Sequence, residues 1–367
     1  MLHDFVEHVK LPLSPWHNLC LKGPYMRTWK EKAIVILGIY TVGLPLATFA
    51  ASRREVPFTA TEVVTWVNFG TALDNGANLL ILNARASAIV TASDPRVAGT
   101  GTVTRSGVWH TNKVGLLWGS FHLSNARGTW DGYWQGTNSL LNGHVMMSLA
   151  MTAEGSGAYH GLVFRTTCTA FDDGPIQWTG CVVQDSPGAR PYRLKGLRLD
   201  CAQETTGMLL DPLTLRPTGN KGALVRINIL TEVGEATYLG RTTEQGLGLL
   251  DPVTGVSSMM GTTMPARGEE RGVLRWVAQA TTDLKTFPKL GQRRGVANAE
   301  VHFAGGTGQF QDATGRFSGR VAQIIAPTPT PALFHNTFQY EVAGTIRFSC
   351  PAEERRPGTP QSRYLRN

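Results

Sequence analysis

The sequence predicts an all-β protein built from two tandem antiparallel β-barrel domains behind an N-terminal signal or anchor segment. Three observations carry that expectation. From about residue 56 apolar and polar residues alternate in short runs separated by turn-forming Gly, Asn, Asp and Pro, the pattern of strands in a sandwich or barrel. No amphipathic helical period stands out, which disfavours a parallel sheet with crossover helices. The 367 residues include 41 Gly and 20 Pro but only 17% charged residues, so the chain is neither disordered nor long-helical. That length accommodates two domains of roughly 100–200 residues each.

The first segment, 1–52, is read as a lead followed by a signal peptide or anchor. Residues 33–51 (AIVILGIYTVGLPLATFAA) are uncharged and apolar. Arg27, Lys30 and Lys32 precede them; Ala50, Ala51 and Ser52 follow. A basic region, an apolar stretch and a small-residue exit form an export signal. Pro45 would break a helix near the cleavage region. A start at Met26 would make the signal conventional in length. The alternatives are an uncleaved anchor, for which the stretch is just long enough, and a buried core helix. The expected location is therefore exported, secreted or periplasmic, with membrane contact only through residues 33–51 if they are retained.

Cysteine usage agrees with export. Beyond the signal lie Cys168, Cys181, Cys201 and Cys350, an even number that suggests two disulfides. Cys168 and Cys181 flank a turn at Asp172–Pro175 and are expected to pair. Cys201–Cys350 would tie the second half to its last strand. Four buried free thiols are the alternative. No C-x-x-C spacing points to zinc.

The first barrel is expected over 56–184, with strands near 79–92, 100–109, 114–124, 128–136, 143–152, 157–169 and 176–184. In Gly128–Gly136 a period of two puts Gly128, Trp130, Gly132, Trp134 and Gly136 on one face. Glycine beside tryptophan lets an indole lie flat over a neighbouring strand and lets the strand bend. With Tyr159 in a second Gly-rich run, Trp130 and Trp134 are candidates to line a ligand cavity; the alternative is barrel packing. Residues 185–220 carry Pro187, Pro191, Pro212 and Pro217 and read as a connector with one or two short strands. The second barrel is expected over 221–350, with strands near 223–232, 235–243, 257–264, 272–282, 297–304, 307–311, 314–325 and 338–348. Residues 351–367 read as a solvated basic tail.

Within the second half, Gly234-Glu-Ala-Thr-Tyr238-Leu-Gly240-Arg241 is followed by Gly305-Gly306-Thr307-Gly308-Gln-Phe310, then Ala313-Thr314-Gly315-Arg-Phe317-Ser-Gly319. This pattern resembles a group of exported bacterial β-barrel proteins similar to the barrel shared by allene oxide cyclases and dirigent proteins. Asp94-Pro95-Arg96-Val97, Trp118-Gly119 and the Trp130/Trp134 strand carry a looser likeness in the first half. The resemblance implies a calycin-like barrel with a shaped cavity. It transfers no catalytic residue, because no matching catalytic motif is present, and fold does not imply function.

Several function classes fall away. The net charge of +8 is scattered, and Arg293-Arg294 has no aromatic partners, so nucleic-acid binding is not expected. His110, His122, His144, His160, His302 and His335 form no His-x-His or His-x-x-x-His pair, and no metal is expected. No G-x-S-x-G elbow occurs, and the glycines at 305–308 lack the following lysine-bearing helix of a phosphate loop. Glu300 and His302 share one strand face and could act as an acid/base pair; with Val301 and Phe303 turned to the core, they would instead be exposed. The function that remains is binding of a small apolar ligand or an extracellular partner, without a cofactor. A cyclase-, isomerase- or lyase-type enzyme and a structural protein with filled barrels are the alternatives.

Overall fold

A computed structural model describes residues 55–348 apart from 173, 185–187, 267–271, 283–292 and 328–332. The expected signal or anchor, Cys350 and the tail lie outside the described residues. The first half comprises β1 (Glu55–Asn68), β2 (Thr71–Asp74), β3 (Asn78–Ala92), β4 (Gly99–His110), β5 (Gly115–Asn125), β6 (Gly128–Leu141), β7 (His144–Gly157), β8 (Val163–Phe171) and β9 (Ile176–Val183). Strands β3 to β9 pair antiparallel in chain order. Strand β1 pairs with β3 on one side and β9 on the other. The result is a closed eight-stranded antiparallel barrel, which leaves no free sheet edge.

Alternation sets what fills it. Phe58, Ala60 and Glu62 of β1 point inward, while Val63 and Val67 point out. Small inward residues make room for indoles. A Cβ on Gly119 would lie 1.8 Å from the Thr104 carbonyl oxygen and 2.8 Å from the Trp134 ring, so only glycine lets that indole cross the strand. One end of the barrel is sealed. Trp130 stacks on Tyr159 at 5.1 Å and leans on Phe164 at 5.0 Å. Phe58 meets Phe164 edge-on at 5.9 Å.

The second half comprises β10 (Arg190–Leu210), β11 (Pro217–Ala236), β12 (Gly240–Leu250), β13 (Val256–Pro265), β14 (Leu274–Thr282), β15 (Arg293–Gly306), β16 (Thr314–Pro327) and β17 (Leu333–Arg347). They too pair antiparallel in chain order. Strand β17 then pairs back onto β10, from Arg190↔Ile346 to Gln203↔Leu333. The stretch read in the sequence as a connector contains the 21-residue strand β10. Pro191 sits at its start and Pro212 in the turn after it, where a missing N–H costs little. The expected strand at 307–311 is instead a 3-10 turn at Gly308–Phe310. Gly305 and Gly308, with φ of 76° and 58°, turn the chain there, and Phe310 is buried.

Short β2 pairs with both β3 and β10. A separate apolar cluster joins the halves, with Leu73, Leu80 and Trp118 meeting Leu224, Leu247 and Leu249. The Trp118 Nε1–H donates to Ser258 Oγ at 2.8 Å across this contact.

The expected Cys168–Cys181 disulfide is absent, and both are free thiols. Cys168 lies opposite Trp178 and faces the barrel interior, whereas Cys181 lies opposite Arg165. An odd offset from the inward Trp178 turns Cys181 to the outer face, so the two sulfurs are on opposite sides of the sheet. Cys201 is buried on β10; its proposed partner, Cys350, is outside the described residues.

Candidate functional site: a chamber in the first barrel

Above the aromatic plug the first barrel is incompletely filled. A cavity of about 40 Å³ opens among Glu62, Trp66, Arg105, Trp134, Met151 and Cys168. Each comes from the inward parity of its strand. Strand β1 contributes Glu62 and Trp66, β4 Arg105, β6 Trp134, β7 Met151 and β8 Cys168. Met147 and Leu149 continue the lining of β7. The walls are thus thioether, aromatic and aliphatic, and a cavity of this size has room for a few waters or one small organic group.

Two charged side chains enter this apolar space. Glu62 is only 5% exposed. The Trp178 Nε1–H donates to its Oε2 at 3.0 Å. Burial pushes the carboxyl pKa up from 4.5 to about 7, and the Trp178 hydrogen bond pulls weakly the other way. Near neutrality Glu62 is therefore partly protonated and can donate as well as accept a hydrogen bond. The Arg105 guanidinium lies 3.9 Å from the Trp66 ring centroid and 5.2 Å from that of Trp109, a cation held between two aromatic faces. Burial, and then the nearby Glu62, push the Cys168 thiol well above the usual range, so it acts as an inert wall.

The residues singled out in the sequence fall into three places. Trp134 lines the chamber. Trp130 and Tyr159 form the sealed end; Trp130 Nε1–H donates to the Arg96 carbonyl at 2.8 Å, and Tyr159 OH bonds Asn125 Oδ1 at 2.8 Å. Glu300 and His302 lie on the outer face of β15. Glu300 is 52% exposed, but His302 is only 15% exposed, its Nε2 3.1 Å from Glu300 Oε1. His302 stacks on Tyr133 of β6 with centroids 3.9 Å apart. Burial lowers the His302 pKa and pushes Tyr133 up to about 12. This pair therefore belongs to the contact between the halves and not to the chamber. Among the described residues no group of three or more His, Cys, Asp or Glu could hold a metal ion.

Sequence reasoning missed Glu62, Trp66 and Arg105. The signal was present in Phe58-Thr-Ala60-Thr-Glu62-Val-Val64-Thr-Trp66, where the charge shares the parity of Phe58 and Trp66. It was masked because Val63 and Val67 make the outer face apolar as well.

Fold and site together define a closed antiparallel barrel protein with a buried carboxyl in an internal apolar chamber. No protein-family model, curated protein or solved structure matches this chain.

Proposed function

We propose that the chain is an exported tandem-barrel protein whose first barrel binds a small, largely apolar ligand bearing one hydrogen-bonding group. The observation that carries this reading is Glu62. A carboxyl buried in an apolar wall, with a single neutral donor, costs folding free energy. A barrel built only to be rigid gains nothing from it, whereas a binding chamber gains a polar anchor among apolar contacts. Arg105 adds a second polar contact on the same wall.

The tandem reading draws support from internal correspondence. Phe164 and Cys168 on β8 are spaced like Phe317 and Val321 on β16. Cys168 lies opposite Trp178 and Val321 opposite Tyr340. Trp178 and Tyr340 in turn lie opposite Ala60 and Gly196 on β1 and β10. The plugs correspond too: Tyr159 packs on Gly155, four residues earlier, as Phe310 packs on Gly306. Export rests on the 33–51 stretch, and the likeness to the cyclase-type barrels on the glycine pattern. The small cavity volume favours one other reading, a filled barrel with a structural role.

Native mass spectrometry on the protein purified from an exporting host separates these. A ligand-binding chamber gives a reproducible added mass that denaturation removes and that Met151→Trp, which fills the chamber, abolishes while thermal melting confirms a folded variant. A bare protein mass throughout overturns the binding reading in favour of the filled barrel.

A further inference from the structure

The chamber of the first barrel is distinctive in the material of its walls as well as in its carboxyl. Phe121 meets Trp178 edge-on at 5.2 Å, and the Trp178 Nε1–H donates to Glu62 Oε2 at 3.0 Å, so an aromatic wall stands beside the carboxyl. The Trp134 Nε1–H donates to the Ser120 carbonyl at 3.3 Å, and its indole lines the space. Strand β7 adds sulfur. Leu149 lies opposite Cys168, so Met147 and Met151, two residues to either side on the same face, flank the thiol. Glu62 is near enough to Cys168 to help push its thiol up. Carboxyl, thiol, thioethers and aromatic rings therefore border one space.

Size and hydrogen-bonding capacity narrow what fits there. At about 12 Å³ for each water, a cavity of about 40 Å³ has the volume of roughly three waters. That is the bulk of a single small ring and too little for a fused bicycle. Trp178 occupies Glu62 Oε2, and among the described residues no donor reaches Oε1. A buried carboxylate gains from each further N–H or O–H that reaches it. A flat aromatic ring against thioether and aromatic side chains gains contacts that a saturated ring of the same size does not. Water would supply the donor but gains nothing from such walls.

Resting on the binding reading above, we propose that the ligand of this chamber is a small aromatic ring carrying its own N–H donor, a heteroarene of the pyrrole or azole class. The N–H is donated to Glu62 Oε1, and the ring lies among Phe121, Trp134, Met147 and Met151. A donor within a five-membered ring adds no atom to it, whereas a phenol brings both a larger ring and a hydroxyl. The donated hydrogen bond favours the ionised carboxyl, so binding strengthens as Glu62 loses its proton near pH 7. The other titratable groups on the lining are Arg105 of β4 and Cys168 of β8. The guanidinium stays charged, and the Cys168 thiol, raised well above its usual range, stays protonated through that change.

The test is ligand-observed NMR titration of the full chain with pyrrole, furan and cyclopentanol. Furan is the pyrrole ring without the donor, and cyclopentanol keeps a donor without the aromatic ring. Pyrrole is expected to bind saturably, furan about tenfold more weakly for want of the hydrogen bond to a charged group, and cyclopentanol about fivefold more weakly for want of the aromatic contacts. Pyrrole affinity rises up to about tenfold from about pH 6 to about pH 8, following the ionised fraction of a carboxyl that titrates at about 7. Glu62→Gln flattens that rise and Glu300→Gln, outside the chamber, keeps it, with circular dichroism confirming that both are folded. A flat profile in the native chain, or furan or cyclopentanol binding as well as pyrrole and blocked by Met151→Trp, overturns this ligand class and leaves the binding reading standing. If none of the three binds while native mass spectrometry shows a retained ligand, this inference alone falls; if none binds and the mass is bare, both fall.

Discussion

Replacing Glu62 by Gln isolates the energetic cost of the chamber carboxyl. The amide keeps the shape and the acceptor for the Trp178 Nε1–H but cannot ionise. In the native protein the group titrates at about 7 against 4.5 when unperturbed. The folded state therefore holds its proton more tightly, and the stability this contributes is fully present below about pH 4.5 and is lost as pH rises through about 7. At about 1.4 kcal/mol per pKa unit, the loss is about 3 kcal/mol. At roughly 2 °C per kcal/mol for a chain of this size, that is about 6 °C in melting temperature. Asp200, raised from 3.8 to about 6 by burial, acts in the same direction but is present in both proteins and cancels in their difference. Thermal melts of both proteins at intervals from pH 4.5 to pH 8.5 read that difference directly. Glu62→Gln should gain on the native chain steadily up to about pH 7 and level off above it. A difference that stays constant with pH would mean that Glu62 is ionised and solvated, and the argument for its burial cost would fail.

Two other expectations are simpler to check. Trp118→Phe removes the donor to Ser258 Oγ at the contact between the halves and strands a buried hydroxyl. It should cost about 1–3 kcal/mol in urea unfolding, and an unchanged midpoint would show that this hydrogen bond is not used. Maleimide labelling of the native protein should modify Cys181 before Cys168, because Cys168 is buried and its thiol is raised well above the usual range. Peptide masses two protons short, with Cys168 joined to Cys181, would contradict the opposed facing of the two strands.

The sheet character of the chain was legible because period-two alternation and glycine placement are local. The inward facing of Trp130 and Trp134 and the burial of Phe303 and Phe317 follow from parity; Phe310 is buried instead by the turn at Gly308–Phe310. What parity cannot reveal is which outer face meets another surface. Tyr133 and His302 both point out of their own strands, yet they cover one another. Prolines misled for a related reason. Four of them between 187 and 217 suggested a connector, but Pro191 is the second residue of β10 and Pro212 follows the strand, so no proline falls within the ladder between. The disulfide expectation failed on register: Cys181 lies three residues beyond Trp178, the partner of Cys168, so the two sulfurs are neither opposite one another nor on one face.

The two interiors differ in one respect that bears on function. Asp200 carries a cationic partner on its own strand, two residues away, which offsets part of the cost of its burial. Among the described residues Glu62 has no such partner on its own strand: its neighbours at the same distance are Ala60 and Val64, and the hydrogen bond it accepts comes from the neutral Trp178. A lysine or arginine placed two residues from Glu62 would have relieved part of that cost without changing the topology, as Arg198 does for Asp200. A site that keeps a costly, easily corrected feature is one where stability gives way to another demand. On the proposed function that demand is a polar group arriving from outside, which a carboxyl titrating near neutrality would meet as either donor or acceptor.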